Sequence, residues 1–185
     1  MTDKLERLVK FLDNPDRLKK LKPEQLLEMI PMEGHENILD IGAGTGYLSI
    51  PAAKKTKGDV FAYDIQPQML KIIKDRADLL GVNNIQYIEG RIEEIPSFAK
   101  PIHIVLTSLI LHEIEELEEA LLKIQERLTE GGYLVCVEYE IEEYSSVKPP
   151  RISLRKMTDE LEKVGFTIEE KHLPAEDLYV VIAKK

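Results

Sequence analysis

NILDIGAGTG, residues 37–46, joins two different patterns. Its first half, 37–41, is an apolar run interrupted by Asp40, as expected of a short buried strand. Its second half alternates glycine with small residues, and glycine lets the backbone turn tightly and approach a ligand closely. A helical pattern follows over 47–55. The stretch therefore predicts a strand, a glycine loop and a helix, an order that doubly wound α/β sheets use to bind nucleotides.

The flanking sequence continues this alternation of apolar strands and amphipathic helices. Further strands are predicted at 60–63, 85–88, 102–106, 133–137, 166–170 and 178–183, and further helices in the first dozen residues, from Pro23 onward, and at 67–80, 117–128 and 153–164. Such alternation requires a parallel sheet with helices on both faces. The segment His172–Asp177 is too short for a crossover helix, so the last two strands should be antiparallel. The predicted fold class is α/β: a doubly wound, mostly parallel seven-stranded sheet with an antiparallel C-terminal hairpin.

The composition is that of a globular protein. The chain has 185 residues, 43% of them hydrophobic and 32% charged, which suits one compact domain covering 1–185. A single cysteine, Cys136, excludes an intrachain disulfide and a four-thiolate metal site; we expect it to pack in the core, and no metal is predicted. The formal net charge of −9 argues against a general nucleic-acid binder, because affinity for phosphates needs a basic surface.

The sequence has no pattern for export or membrane insertion. Residues 1–14 mix both charge signs and lack the apolar core of a signal peptide. The longest mostly apolar run, Ile102–Leu111, is about half as long as a membrane-spanning helix. We therefore expect a cytoplasmic protein without a membrane span. No pattern indicates an oligomeric state.

The spacing of the glycines separates two classes of nucleotide ligand. A dinucleotide fingerprint, G-x-G-x-x-G, would need its third glycine at position 47, where this chain has Tyr47. Asp64 ends the second strand about 20 residues after the glycines, where an acidic side chain reaches the ribose hydroxyls of a nucleotide. An aspartate there can also cap the next helix, and the two roles can coexist.

The segment from Asp40 to Gly46 resembles motif I of class I S-adenosylmethionine-dependent methyltransferases, and the resemblance extends from about Pro23 to Lys185. The most similar subgroup is that of small ubiquinone/menaquinone-biosynthesis-like methyltransferases. The resemblance implies a Rossmann-like methyltransferase fold, S-adenosylmethionine as cofactor with S-adenosylhomocysteine as product, and a small or medium-sized acceptor. The cofactor-binding residues that it implies are Asp40, Gly42, Ala43, Gly44, Gly46, Asp64, Ile65, Gly90, Arg91, Ile92 and Thr107.

One motif departs from the family pattern. The segment Gly90–Ile92 occupies the place of a Gly-Asp-Ala type motif that contacts the adenine, and Arg91 replaces its acidic residue. The backbone of Ile92 can still serve a ring nitrogen, and the Arg91 guanidinium could instead stack on the adenine.

The fourth strand bears on the acceptor. Residues 107–110 read TSLI, without the Asn/Asp-Pro-Pro-aromatic motif that holds a planar amino group, and no Pro-Cys nucleophile for cytosine is present. His112 follows this strand and is the predicted catalytic base, since histidine accepts a proton near neutral pH. The alternative is a histidine that shapes the pocket or bonds to the backbone.

The segment Tyr139–Arg151 is long and polar, so we predict a loop, and loops over a rigid sheet often carry specificity. Together with the helices of residues 1–33 it is the predicted acceptor lid, with Tyr139 and Arg151 as substrate-binding residues. The glutamates at 113–119 are interpreted as a solvent-facing charge run. The run at 138–143 is interpreted in the same way, but it follows the fifth strand beside the expected acceptor mouth, and His172 is placed in the hairpin turn.

Two other functions stay open at this point. One is an oxidoreductase with a nucleotide cofactor of the NAD type, which Tyr47 disfavours. The other is a non-catalytic module that binds S-adenosylmethionine, which the intact glycine loop disfavours and Arg91 favours.

Overall fold

The structure is a computed structural model that describes residues 3–140 and 151–185. Its strands are β1 (Ile38–Ile41), β2 (Val60–Asp64), β3 (Ile85–Glu89), β4 (Ile102–Ser108), β5 (Leu128–Tyr139), β6 (Thr167–Ala175) and β7 (Leu178–Lys184). Its α-helices are α1 (Asp3–Leu12), α2 (Pro15–Lys20), α3 (Pro23–Glu28), α4 (Ser49–Lys55), α5 (Pro67–Leu80), α6 (Leu117–Arg127) and α7 (Leu154–Lys163). Two short 3₁₀ helices cover Ile92–Glu94 and Leu111–Glu113.

The strands form one seven-stranded sheet in the order β3-β2-β1-β4-β5-β7-β6. The pairs among β3, β2, β1, β4 and β5 are parallel, and β7 pairs antiparallel with both β5 and β6. The predicted α/β fold class is thereby confirmed. The strand order reverses between β1 and β4, which makes their carboxyl ends the topological switch point where such sheets bind ligands.

Helices cover both faces of the sheet, so its central strands are buried on both sides. All residues of β1 and β2 are buried, as in a parallel strand with helices above and below. α6 and α7 pack on one face, and α3, α4 and α5 pack on the other. Cys136 of β5 lies inside the sheet, and its burial raises the pKa of the thiol to about 12.

One additional helix and the starts of α4 and β5 differ from the prediction. Pro15 begins the unpredicted helix α2, because proline fits the first turn of a helix. Helix α4 begins at Ser49 and not at 47. Strand β5 begins at Leu128, which pairs with Ile102, and not at 133. A register shift in the β4–β5 pairing absorbs the extra residues.

The C-terminal hairpin is longer than predicted. β6 continues to Ala175 and pairs with β7 through two register shifts. His172 therefore lies within β6, opposite Val180, and its placement in the turn was wrong. The connecting turn shrinks to residues 176–177. Bulges of this kind let a strand continue where the alternation of its side chains is broken.

The predicted lid falls partly outside the described residues. Tyr139 ends β5 and Arg151 lies before α7, whereas residues 141–150 between them lie outside the described part of the chain. Within residues 3–140 and 151–185, no helix is both long enough and apolar enough to cross a membrane.

Candidate active site

A cavity of about 490 Å³ opens at the carboxyl ends of β1 and β4. The glycine loop and helix α1 both contribute to its wall. Its wall includes Leu8, Phe11, Leu12, Asp40, Gly42, Ala43, Gly44, Thr45, Leu109, Ile110, His112, Glu113 and Tyr139. A mostly apolar cavity with a few convergent polar groups, placed at the switch point of the sheet, is the usual form of a small-molecule site.

The glycine loop approaches the cavity through bare backbone. Gly42 and Gly44 have φ values of +68° and +54°, in the left-handed region that side chains disfavour. A Cβ at Gly42 would lie 2.8 Å from the Ile110 side chain, and one at Gly44 would lie 3.3 Å from Leu12 Cδ1. The loop thus forms a cradle that a side chain would fill.

The Asp64 side chain is hydrogen-bonded to the backbone of this loop. Its Oδ2 accepts a hydrogen bond from the Gly44 N–H at 2.8 Å, and its Oδ1 accepts one from the Gln66 N–H at 2.8 Å. The side chain is 8% exposed and is not part of the cavity wall. Each carboxylate oxygen has a second lone pair, so the geometry leaves acceptor capacity for a ligand hydroxyl.

Asp40 is the buried acid of the cavity floor. Its carboxylate accepts a hydrogen bond from the Ser49 hydroxyl in the first turn of α4. The contact ties β1 to the helix that follows the glycine loop. Gly46, by contrast, packs against Ile50 and Ile73 below the loop and does not reach the cavity wall.

The predicted adenine-side residues, Gly90–Ile92, directly follow β3. Tyr63 donates a hydrogen bond to the Arg91 carbonyl at 2.8 Å, and its ring lies so close to Gly90 that a Cβ there would overlap its hydroxyl. The exposed Arg91 side chain forms an ion pair with Glu93, 3.4 Å away. The hydroxyl of Thr107 is buried inside the sheet, 3.3 Å from the Val135 carbonyl.

The structure brings only some of the predicted site residues together. Those on the cavity wall are Asp40, Gly42, Ala43, Gly44, His112 and Tyr139. Those off the wall are Gly46, Asp64, Ile65, Gly90, Arg91, Ile92, Thr107 and Arg151.

His112 sits in the 3₁₀ helix after β4, with its side chain 7% exposed. Its Nδ1 lies 2.7 Å from Oε2 of Glu138. This hydrogen bond raises the pKa of His112 above its ordinary value, although burial acts in the opposite direction. The ring is therefore a basic group fixed at the cavity wall.

Glu138 is a partner of His112 that the sequence analysis did not identify. It is 1% exposed within β5, so its assignment to a solvent-facing run was wrong. Its Oε1 accepts hydrogen bonds from the N–H groups of Ile110, at 3.0 Å, and Leu111, at 2.8 Å. The available signal was its position directly after an apolar central strand, where an acidic side chain needs buried partners.

Helix α1 is tied directly to the glycine loop. Asp13, which follows α1, accepts a hydrogen bond from the Thr45 hydroxyl at 2.8 Å. It also forms an ion pair with Arg76 of α5. The same guanidinium donates to the Thr45 carbonyl at 3.0 Å. We call Asp13, Thr45 and Arg76 the latch. No sequence pattern singled out these three residues.

Tyr139 lines the cavity, and its ring contacts Lys20 at the end of helix α2. The Lys20 ammonium lies 5.0 Å and the Arg151 guanidinium 5.3 Å from the centre of its ring. Lys20 also pairs with Asp177, and Arg151 donates to the Glu140 carbonyl at 2.7 Å. Arg151 is thus a neighbour of Tyr139 and not a cavity residue.

One family and two curated proteins that this chain resembles are all described as methyltransferases. Residues 33–179 match a family described as a methyltransferase domain. The chain is 31% identical over 99 residues, 52% of its length, to a probable cobalt-precorrin-6B C(15)-methyltransferase (decarboxylating) of Sulfolobus acidocaldarius, covering 50% of that protein. It is 29% identical over 106 residues, 57% of its length, to a demethylmenaquinone methyltransferase of Chlorobaculum tepidum, covering 42% of that protein. The chain thus spans about half the length of these curated relatives.

A solved structure shows the same fold. The crystal structure of an S-adenosylmethionine-dependent methyltransferase from Aquifex aeolicus superposes with a TM-score of 0.86 at 23% identity, covering 100% of this chain and 99% of that one. None of these matches favours the NAD-type alternative. Because the matched family region runs from the turn before β1 into β7, the chain belongs to this family of class I methyltransferases, whose cofactor is S-adenosylmethionine.

Proposed function

We propose that the protein methylates a small, largely apolar molecule whose reacting group carries a proton, and that His112 takes this proton. The observation that carries the proposal is the position of His112, anchored to Glu138, on the same cavity wall as the glycine loop. Two relatives named for demethylmenaquinone and cobalt-precorrin-6B support a small-molecule acceptor. The net charge of −9 supports it over a nucleic acid.

The residues at the glycine loop fit S-adenosylmethionine. A Cβ at Gly42 or Gly44 would press on Ile110 or Leu12, which also line the cavity, so this part of the wall requires bare backbone. Three acidic residues, Asp16, Asp40 and Glu113, line the cavity together with Lys20, and their carboxylates can face a cation. Asp64 would accept from the ribose while keeping its bonds to the loop. When bound, the cofactor supplies a methyl group on a positively charged sulfur.

The acceptor would lie against the apolar part of the wall. Leu8, Phe11 and Leu12 project from α1 toward this space, across from Leu109 and Ile110. Phe11 is 72% exposed in the free protein, a large apolar surface that an acceptor could cover. We propose that α1, held by the latch, is the lid of the single methyltransferase domain.

The base fits an acceptor with a weakly acidic proton. A general base works best when its pKa lies near the operating pH, and the hydrogen bond to Glu138 raises the pKa of His112 above its ordinary value. A phenolic or quinol hydroxyl carries such a weakly acidic proton. His112 receives its proton at Nε2, and Glu138 stabilises the imidazolium that results.

The experiment has two stages. Calorimetric titration with S-adenosylhomocysteine tests the cofactor site, with NAD as the competing ligand. Labelled S-adenosylmethionine is then offered with a panel of phenols, quinols and tetrapyrroles, and methylated products are identified by mass spectrometry. We expect the homocysteine derivative to bind and at least one panel member to be methylated. Binding of NAD alone would overturn the proposal, and so would methylation confined to nucleic acid.

A further inference from the structure

We infer that Glu138 is a positioning residue that keeps the proton of neutral His112 on Nδ1, so that Nε2 faces the cavity unprotonated. The inference rests on the proposed role of His112 as a base, and it adds the group that makes one nitrogen of the ring available. Nothing in the pattern of the glycine loop implies this contact, because it joins the end of β5 to the segment after β4.

The carboxylate of Glu138 is fixed at both oxygens. Oε1 receives two backbone N–H groups, from Ile110 and Leu111, and Oε2 faces Nδ1 of His112 at 2.7 Å. An ionised carboxylate accepts hydrogen bonds and cannot donate them, so Nδ1 must be the donor. Since Glu138 is 1% exposed, no solvent competes for these positions.

The second ring nitrogen points away from this anchor. Nε2 lies 3.9 Å from Oε1 of Glu113, a largely exposed residue that also lines the cavity. With the proton on Nδ1, Nε2 carries a lone pair on this side. Protonation of Nε2 then produces an imidazolium whose opposite edge is already bonded to a carboxylate.

Charges from several elements surround the ring. Glu138 of β5 and Glu113 of its own segment raise the pKa of His112, while Arg151, which precedes α7, lowers it. Cys136 of β5 and Tyr179 of β7 stay neutral near Glu138, because burial raises the pKa of both groups. Among these groups of the described chain, Glu138 alone contacts Nδ1 within hydrogen-bonding distance.

A purely structural role for Glu138 makes a different prediction. If it only satisfies the two N–H groups, the tautomer of His112 should not depend on its charge. Glu138→Gln separates the cases, because its amide oxygen can still accept from Ile110 and Leu111 while its NH₂ group donates to Nδ1. Nδ1 then becomes the acceptor, and the proton of the neutral ring moves to Nε2.

The test is ¹⁵N NMR of the full chain labelled at histidine, at a pH well above the pKa of His112, with the signal assigned by its loss in His112→Gln. We expect the unaltered protein to show protonated Nδ1 and bare Nε2, and Glu138→Gln to show the reverse. Glu113→Gln is the matched control: it removes a nearby negative charge without touching Nδ1, and the tautomer should stay unchanged.

The outcomes separate this inference from the proposed function. A Nε2-protonated ring in the unaltered protein would overturn the inference, even if Glu138→Gln failed to fold. An unchanged tautomer in folded Glu138→Gln would also overturn it, leaving a structural role. Failure of the unaltered protein to bind S-adenosylhomocysteine would instead contradict the methyltransferase proposal, since the tautomer is measured without cofactor or acceptor.

Discussion

Gly44 combines a positive φ with a close approach to helix α1 in the cofactor cradle. Its φ of +54° and its approach to Leu12 leave no room for a branched side chain. We predict that Gly44→Val abolishes detectable binding of S-adenosylhomocysteine in calorimetry while the protein stays folded. Gly81→Val is the matched control, because Gly81 has a similar φ of +66° but faces open space. Equal loss of binding in both variants would show that backbone strain, and not the cradle, is responsible.

Asp64 has a double role, and its removal should have two effects. Asp64→Ala should weaken binding of S-adenosylhomocysteine by roughly 1.5–3 kcal/mol, the range for hydrogen bonds to a charged group. It should also lower the free energy of unfolding by about 1–3 kcal/mol, because the N–H groups of Gly44 and Gln66 lose their acceptor. Calorimetry and urea unfolding measure the two effects. Asp75→Ala, on the exposed face of α5, should show neither.

The contact between His112 and Glu138 predicts a pH-dependent stability. The hydrogen bond to Glu138 raises the folded-state pKa of His112 above the ordinary value for histidine, so the folded protein binds this proton more tightly than the unfolded chain. The resulting stabilisation is complete below about pH 6.5 and is lost as the pH rises through the folded-state value. Urea unfolding from pH 5 to 9 should show this slope.

Two histidine variants check that prediction. His112→Gln should remove that part of the slope, whereas His35→Gln, at an exposed turn, should retain it. A slope that His112→Gln leaves intact would assign the pH dependence to another group.

At the scale of elements, the latch predicts the behaviour of helix α1. Asp13→Ala removes the acceptor that joins Thr45 and Arg76, and a partly exposed pair of this kind contributes about 1 kcal/mol or less. We expect hydrogen exchange of the α1 amides to accelerate up to about fivefold, with the amides of β4 unchanged. Asp78→Ala, which removes an exposed pair within α5, is the control. Unchanged exchange in α1 would mean that apolar packing alone holds the lid.

The sequence predicted the elements whose patterns are local. The strand at 37–41, the glycine loop and the helix that Gly81 ends all follow from short-range periodicity and turn chemistry. The early start of β5 and the extension of β6 depend on pairing with distant strands, which no local pattern encodes. The contacts of Glu138 were not predicted for the same reason. Its partners belong to the segment after β4, and only the pairing of β4 with β5 brings them within hydrogen-bonding distance.

At the scale of the whole molecule, ligand binding should report on cofactor identity. A ligand present at 100 times its dissociation constant stabilises the folded state by about 2.7 kcal/mol, which corresponds to roughly 5–10 °C in a chain of this size. We predict such a rise in Tm with S-adenosylhomocysteine and none with NAD. The same scan on Gly44→Val should show no rise. A comparable rise with NAD would reopen the oxidoreductase alternative.

The sheet order also explains why the site as a whole was only partly predictable. Alternating strands and helices imply a switch point, and the glycine loop marks one side of it. They do not say which surface closes the cavity. The amphipathic pattern of residues 3–12 predicts that one face is covered, but the choice of Gly44 and Thr45 as its partners is made by tertiary packing.

The position of β7 has a consequence for the order in which the protein is made. β6 is synthesised before β7, yet its place in the sheet lies outside β7 and is reached only by pairing with it. Until residues 178–184 leave the ribosome, the apolar edge of β5 has no partner, and β6 has no sheet to join. The half of the molecule that holds the glycine loop can assemble earlier. In the other half, β5 keeps an unpaired edge until β7 is available, and such an edge can pair with another chain.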